Sequence, residues 1–227
     1  LKPGEAGYLR LIAGAAPDGL LIRNPGALRI TESWDGLLRV GDFSLNVTNP
    51  ITARLLMEGC RLDALTVSHD LNIGQVLDLL GAAPPGWFEL VLHQHMPMFH
   101  MEHCVFCAFL SKGTSHLDCG RPCETRSVHL RDRVGQLHRL QADVGCRNTL
   151  FSGRAQTGAR HLPELVRAGL RRCRVELLDE DRDTAVRTLG AYQRLLRGEE
   201  DPAAVLGTVH AIEKLGVTEG TLSGDGR

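Results

Sequence analysis

Several absences narrow what this 227-residue chain can be. Neither sign of charge is in excess: 26 Lys and Arg stand against 27 Asp and Glu, for a net charge of −1. A generic nucleic-acid or membrane binder therefore finds no support, although the stretch Arg121–Arg174 is locally rich in arginine. No apolar run approaches the roughly 20 residues of a membrane span, and the N-terminus lacks a charged-then-apolar leader pattern. The chain reads as cytosolic. There is no glycine-rich phosphate loop, no G-x-S-x-G and no H-E-x-x-H, so P-loop, serine-hydrolase and zinc-protease chemistry are poorly supported. With 43% hydrophobic and 23% charged residues the chain is ordinary globular protein, long enough to bury a core.

Against that background the cysteines stand out. Five of the seven, Cys104, Cys107, Cys119, Cys123 and Cys146, fall within 43 residues in the spacing C-x2-C-x11-C-x3-C-x22-C. Five of the ten histidines lie in or beside the same region, between His93 and His116. In a reducing compartment clustered thiols bind metal or do redox work more often than they form disulfides. Four thiolates can hold a tetrahedral zinc, or one iron each of a cubane cluster. The asymmetric spacing and the apolar surroundings (Met98, Phe99, Met101, Val105, Phe106, Phe109) lean toward iron–sulfur, with zinc as the rival.

Elsewhere strands and helices alternate in units of about 25–30 residues, the pattern of parallel strands with crossover helices. The predicted strands are Asp18–Asn24, Arg39–Asn49, Leu62–Asp70, Trp87–His95 and Arg172–Leu178. Each ends in polar residues: Arg23 and Asn24; Asn46 and Asn49; His69 and Asp70; His93 and His95; Glu176. Since the carboxyl ends of such strands carry active sites, these residues form a predicted functional rim. His93 and His95 share one strand face by alternation. His100 and His103, one helical turn apart if helical, are predicted to support the site. Residues Val128–Asp143 read as a β-hairpin turning at Arg133-Val134-Gly135, Val144–Ala159 as an irregular loop, and Glu213–Arg227 as a loose tail.

The stretches MPMFHMEHCVFCAFLS and CGRPCE resemble peptidase family U32, the collagenase-like peptidases. GDFSLNVTNPITARLLMEGC, LDALTVSHDLN and CRVELL extend the resemblance over roughly residues 18 to 198. It implies an α/β fold of the TIM-like (β/α) barrel type with a cysteine-rich insertion. The expected layout is barrel units over 1–99, the insertion with its hairpin over 100–160, a last unit over 161–198 and a C-terminal helix and tail over 199–227. It also implies a [4Fe–4S] cluster and oxygen-independent hydroxylation of RNA or a small aromatic molecule, with a small-molecule hydroxyl donor such as prephenate. Cys104, Cys119 and Cys123 match the family's ligands; the fourth is Cys146, the better match for a distant ligand, or Cys107. On this reading His69, Asp70, His93, His95 and Glu176 are catalytic, and Arg23, Asn24, Asn46 and Asn49 bind substrate. Leu177-Leu178 replaces the Gly-Arg pair usual after the family's glutamate. Only the latter five barrel strands are present, so a longer protein or a partner chain is expected to complete the barrel. Peptide hydrolysis, which the family's older label suggests, and a zinc-stabilised binding module are the alternative activities.

Overall fold

Short apolar runs closed by asparagine and proline become strands followed by capped helices. A computed structural model describes residues 5–212 and 217–224; residues 213–216 and 225–227, part of the expected loose tail, lie outside the described residues. The fold is mixed α/β and divides into two compact units: Leu1–Leu92, Gly158–Val175 and Glu219–Arg227 form unit 1, and His93–Thr157 with Glu176–Thr218 form unit 2.

In unit 1 the strands β1 (Gly19–Ile22), β2 (Leu38–Gly41), β3 (Ala64–Thr66) and the first residues of β4 (Phe88–Met101) pair in that order, all parallel. Between them run helices α1 (Ala6–Gly14), which precedes β1, α2 (Pro25–Ile30), α3 (Pro50–Arg54, extended by a π turn over Leu55–Gly59) and α4 (Ile73–Ala82). Three of these starts share one cause. Asn24, Asn49 and Asn72 each accept a backbone N–H three residues on, from Ala27, Thr52 and Gln75, and the first two are followed by proline at the first helical position. Gln75 returns a bond to the Asn72 backbone, completing a capping box. Leu65, Val67, Val76, Leu80, Phe88 and Leu92 are among the side chains buried in this unit. Arg39 is buried as well, its two terminal guanidinium nitrogens donating to the carbonyls of Cys60 and Leu28 at helix ends, where a cation is favoured.

The predicted second strand, Arg39–Asn49, ends early. After Gly41 the chain makes a 3-10 turn, Phe43–Leu45, and Asn46 adopts φ 55°. A left-handed residue cannot continue an extended strand, so Asn46 reaches the site from a turn.

In unit 2, β4 continues from His93 to Met101 against β7 (Arg147–Thr157), with β6 (Leu137–Asp143) and β5 (Val128–Arg131) following, all antiparallel. The hairpin turns where expected. Asp132 Oδ1 accepts the N–H groups of Val134 and Gln136, and Gly135 supplies φ 89°. The irregular loop expected over Val144–Ala159 is instead the 11-residue strand β7. Its polar residues hid it: Asn148 is fully buried, its Oδ1 accepting the Val105 N–H at 2.6 Å, and Gly153 sits in mid-strand. The remaining elements of this unit are α5 (Val105–Leu110), α7 (Arg182–Leu196), α8 (Pro202–Ile212) and β9 (Val217–Thr218), while α6 (Leu162–Arg167) and β8 (Arg172–Val175), which pairs with β4, belong to unit 1. Two residues of the expected loose tail, Val217 and Thr218, pair in parallel with Ala155 and Gln156. No helix among the described residues is long and apolar enough to cross a membrane.

Gly153 is where β7 meets the hairpin most closely: a Cβ there would collide with the Leu137 carbonyl oxygen. Gly153→Ala is expected to lower stability by about 1–3 kcal/mol, the usual range for overpacking. Equilibrium urea unfolding checks this, and an unchanged midpoint would show that the strands part freely here.

Candidate functional site

In unit 1 the ends of β1, β2 and β3 converge on a carboxylate that the sequence reading left out. Asp42, directly after β2, has no exposed surface. Arg23 Nε, after β1, lies 2.7 Å from its Oδ2, and Arg174, from β8, lies 2.6 Å from its Oδ1. Arg174 also reaches Glu89 Oε1 at 2.8 Å, where the Thr66 hydroxyl donates as well. Burial alone would raise the Asp42 pKa. The hydrogen bond and charge of Arg174, the charge of Arg23 and the Phe43 N–H outweigh it and hold the group below the ordinary carboxylate value. Two cations and two anions thus form one compensated network.

His69 lies beside this network, stacked on Phe43 with ring centroids 4.2 Å apart and 12° between planes; Arg23 stands 5.8 Å over the Phe43 ring. Both ring nitrogens of His69 are buried without a hydrogen-bond partner. Burial pushes its pKa down to about 4, against the pull of the Asp42 carboxylate. At neutral pH the imidazole is therefore uncharged, with one N–H to give and one lone pair to receive. Asn46 Oδ1 accepts from Ser68 Oγ at 3.0 Å, and Ser68 also caps the Asp70 N–H, so the β3 exit is held in place. Asp70 itself is exposed. Asn24 and Asn49, read as substrate-binding, spend their side-chain oxygens capping α2 and α3.

Unit 2 gives the two rim histidines different surroundings. His93 is fully buried, with Nδ1 3.2 Å from Tyr192 Oη, which lies 2.6 Å from the Thr157 hydroxyl. His95 Nδ1 donates to the Ser152 carbonyl at 2.8 Å, and its Nε2 faces Glu180 Oε1 at 3.7 Å. The Glu176 N–H donates to the His93 carbonyl. His100 and His103 are not a helical pair. His100 belongs to strand β4, where its Nδ1 meets Thr149 Oγ1, and His103 is exposed in the bend beyond it.

Four thiols come together in the same unit. Cys104 is the N-cap of α5, its Sγ accepting the Cys107 N–H at 3.4 Å. Cys119 Sγ accepts the Arg121 N–H, also at 3.4 Å, because Gly120 and Arg121 both take positive φ (66° and 50°) and fold the chain over the sulfur. The loop before it is drawn tight by Asp118, whose carboxylate accepts the N–H groups of Thr114 and Ser115; a Cβ on Gly113 would strike the Asp118–Cys119 backbone. The Cys107 thiol donates to the Gly113 carbonyl. Cys123 follows in the turn Pro122–Glu124 and, with Cys104, packs against the apolar cluster of Phe106, Leu140 and Leu150.

The thiols also act on one another. The Cys107 pKa is raised first by burial and then by Cys119 and Cys104; the Cys123 pKa is raised first by burial and then by Cys104, with Glu124 and Cys119 behind. Cys146 is exposed at the turn into β7 and is not among the leading causes of either shift. Cys60 and Cys173 belong to unit 1, and burial pushes Cys173 up to about 11. Among the described residues no three His, Cys, Asp or Glu side chains are gathered to the distances of a single metal ion. What the four sulfurs offer is a soft, apolar-backed donor set with N–H groups aimed at two of its members.

Asp42, Glu89, Arg174 and Glu180 escaped the sequence reading. Glu89 is a lone carboxylate in the run WFELVL, and Arg174 a charge inside RCRVELL. Charges at such positions must find buried partners, which is the signal that could have paired them.

Comparison with known proteins gives one match: the family model for peptidase family U32 covers residues 5–215. No curated protein and no solved structure matches the chain.

The His69 environment sets a pH dependence. Its folded pKa of about 4 lies below the 6.5 of a free histidine, so between those values the unfolded chain binds more protons and stability rises with pH. All of this contribution is present above 6.5, and acidification through the window removes it. His69→Gln is expected to flatten the stability curve there, by at most about 3 kcal/mol. Asp42 acts at lower pH: its stabilisation is complete above its unfolded value of 3.8 and is lost as pH falls through the lower folded pKa. Urea midpoints at half-unit pH intervals separate the two, and an unchanged slope in His69→Gln would show that the ring is already solvated.

Proposed function

The chain belongs to peptidase family U32, and on that premise we propose that it is part of an iron–sulfur-dependent, oxygen-independent hydroxylase. Cys104, Cys107, Cys119 and Cys123 would hold a [4Fe–4S] cluster. The gathering of these four thiols in one place, two of them on the apolar bed of Phe106, Leu140 and Leu150, carries the reading. Thiolates brought together in such surroundings are relieved by a cationic centre. Each sulfur of a cubane binds a different iron, so the four need to face one centre without touching. Cys107 takes the fourth place ahead of Cys146, because Cys107 interacts with Cys104 and Cys119 and Cys146 is exposed. The N–H groups of Cys107 and Arg121 would remain on the ligated sulfurs of Cys104 and Cys119, and hydrogen bonds of this kind tune a cluster.

When bound, such a cluster supplies Lewis-acidic iron for a substrate oxygen. Unit 1 has polar groups of its own. In unit 1 the neutral ring of His69 gives one hydrogen bond and accepts one, Asp70 offers an exposed carboxylate, and the half-exposed Arg23 offers a guanidinium held by Asp42. These groups suit an oxygen-bearing aromatic substrate, RNA base or small molecule, with a small hydroxyl donor. The parallel strands β1 to β4 fit the later part of a TIM-type barrel that a longer chain or a partner completes. Free thiols in this number suit a reducing cytoplasm.

Anaerobic purification followed by iron and acid-labile sulfide assay tests the reading. About four of each per chain are expected, retained in Cys146→Ala and lost in Cys107→Ala. Zinc without visible absorption would replace the proposal with a zinc-held binding module. Gelatin hydrolysis that persists after all four cysteines are changed would restore the peptidase reading.

A further inference from the structure

The β5–β6 hairpin of unit 2 carries positive charge that the segment around it leaves uncompensated. His93–Thr157 holds eight Lys and Arg against five Asp and Glu, although the whole chain has a net charge of −1. All five carboxylates are engaged inside the segment. Glu102 meets Arg147 at 3.0 Å and Glu124 meets Arg121 at 3.2 Å. Asp118, Asp132 and Asp143 each accept backbone N–H, and the second oxygen of Asp132 faces His138. Arg126, Arg131 and Arg133 are exposed, and among the described residues their guanidinium groups meet no carboxylate and no hydrogen-bond acceptor.

These three arginines follow one path. Arg126 stands two residues before β5, Arg131 closes that strand and Arg133 lies in the turn beyond it. From Arg126 to Arg131 is roughly 17 Å of extended chain. Val128 packs on the cluster of Phe106, Leu140 and Leu150, so by alternation His129 and Arg131 face the other way, and both are exposed. The turn is held by its own backbone, Asp132 N–H donating to the Gln136 carbonyl and Gly135 N–H to the Asp132 carbonyl. Strand β5 ends the sheet. Charged side chains on such an edge discourage pairing with another strand, but that role stops at the strand, and Arg126 and Arg133 lie outside it. No Phe, Tyr or Trp occurs between Thr125 and Leu150, so the hairpin offers no ring on which an unpaired base could stack, as single-strand binders do. Phosphates set at regular intervals along a double helix meet a row of guanidinium groups without one.

We propose that the β5–β6 hairpin is a docking finger for double-helical RNA: Arg126, Arg131 and Arg133 neutralise phosphates along the helix and hold it without reading its bases. This role rests on the reading of the chain as acting on RNA, and selects RNA over a small aromatic molecule. The finger makes and breaks no bond; it contributes position and affinity. Each neutralised phosphate releases its counter-ion, so binding through the finger weakens as salt rises.

Fluorescence anisotropy of the whole chain with an RNA duplex of about 16 base pairs, measured across a range of salt concentrations, tests the finger. Changing Arg131→Gln and Arg133→Gln together is expected to weaken binding by roughly 10- to 100-fold at about 0.1 M salt. It should also make the slope of log affinity against log salt shallower by about two. Arg131→Lys with Arg133→Lys keeps both charges and should retain most of the affinity, which separates lost charge from a disturbed turn. An unchanged slope in the glutamine variant, tighter binding of single-stranded RNA, or equal binding of a DNA duplex or of polyglutamate would each overturn the proposal. Iron and sulfide content is expected to be the same in every variant. A chain that binds the duplex but holds no cluster would overturn the hydroxylase reading alone, and a chain that holds the cluster but binds no duplex would overturn the finger alone.

Discussion

Four gathered thiols, two of them resting on an apolar bed, organise the chain around them in unit 2. Burial and the neighbouring thiols push Cys107 and Cys123 in the same direction, and Cys104 and Cys123 rest on the Phe106, Leu140 and Leu150 packing. Much of the local chain serves this set. Asn148 anchors the start of α5 to β7, the Asp118 carboxylate draws the 113–119 loop tight, and successive positive φ values turn the Arg121 N–H onto Cys119. Such effort spent on loops is uncommon where the only need is packing.

Unit 1 meets the same problem, buried charge, by the opposite route. Asp42 is fully enclosed, yet two guanidinium groups reach it at hydrogen-bond distance and a further carboxylate balances them. Removing one partner from such a network leaves an uncompensated buried ion, which is far more destabilising than the network is stabilising. The result is a rigid polar floor beside which His69 is held uncharged by its surroundings.

Which parts of this were legible in the sequence follows from how local the signals are. Asparagine before proline announced α2 and α3, and Asn72 announced α4, because capping is settled within four residues. The β5–β6 hairpin was legible for the same reason: Asp132, Gly135 and their N–H groups lie within one turn. Strand β7 was not. Its burial comes from neighbours β4 and β6, and a strand with Arg, Asn, Thr, Ser and Gly at seven of its 11 positions shows no alternation by itself. The parallel strands were found in their order, but the end of β2 was placed eight residues late, at Asn49 and not Gly41, so Asp42 was read as a strand interior. Cys146, the better match to the family's distant ligand, lies exposed at the β6–β7 turn with φ 61°, a placement that residue spacing does not carry.

Strand β4 imposes a last constraint on how the parts of unit 2 can cooperate. From His95 to Met101 is six residues, which at about 3.3 Å each is roughly 20 Å of strand; register shifts between His95 and Pro97 and between Pro97 and Phe99 bend this path without erasing it. Cys104 lies three residues further on and packs with Leu150, the partner of Phe99. His95 and His93 lie four and six residues before Phe99, the strand position whose partner Leu150 belongs to the bed under Cys104. Whatever those histidines do, they do through the elements bound to them: Tyr192 and Thr157 for His93, Ser152 and Glu180 for His95. Reading H-x-H as a ligand pair follows from alternation alone. Along the same strand, His93 and His95 lie at the start of the antiparallel stretch and the thiols gather beyond its end at Met101.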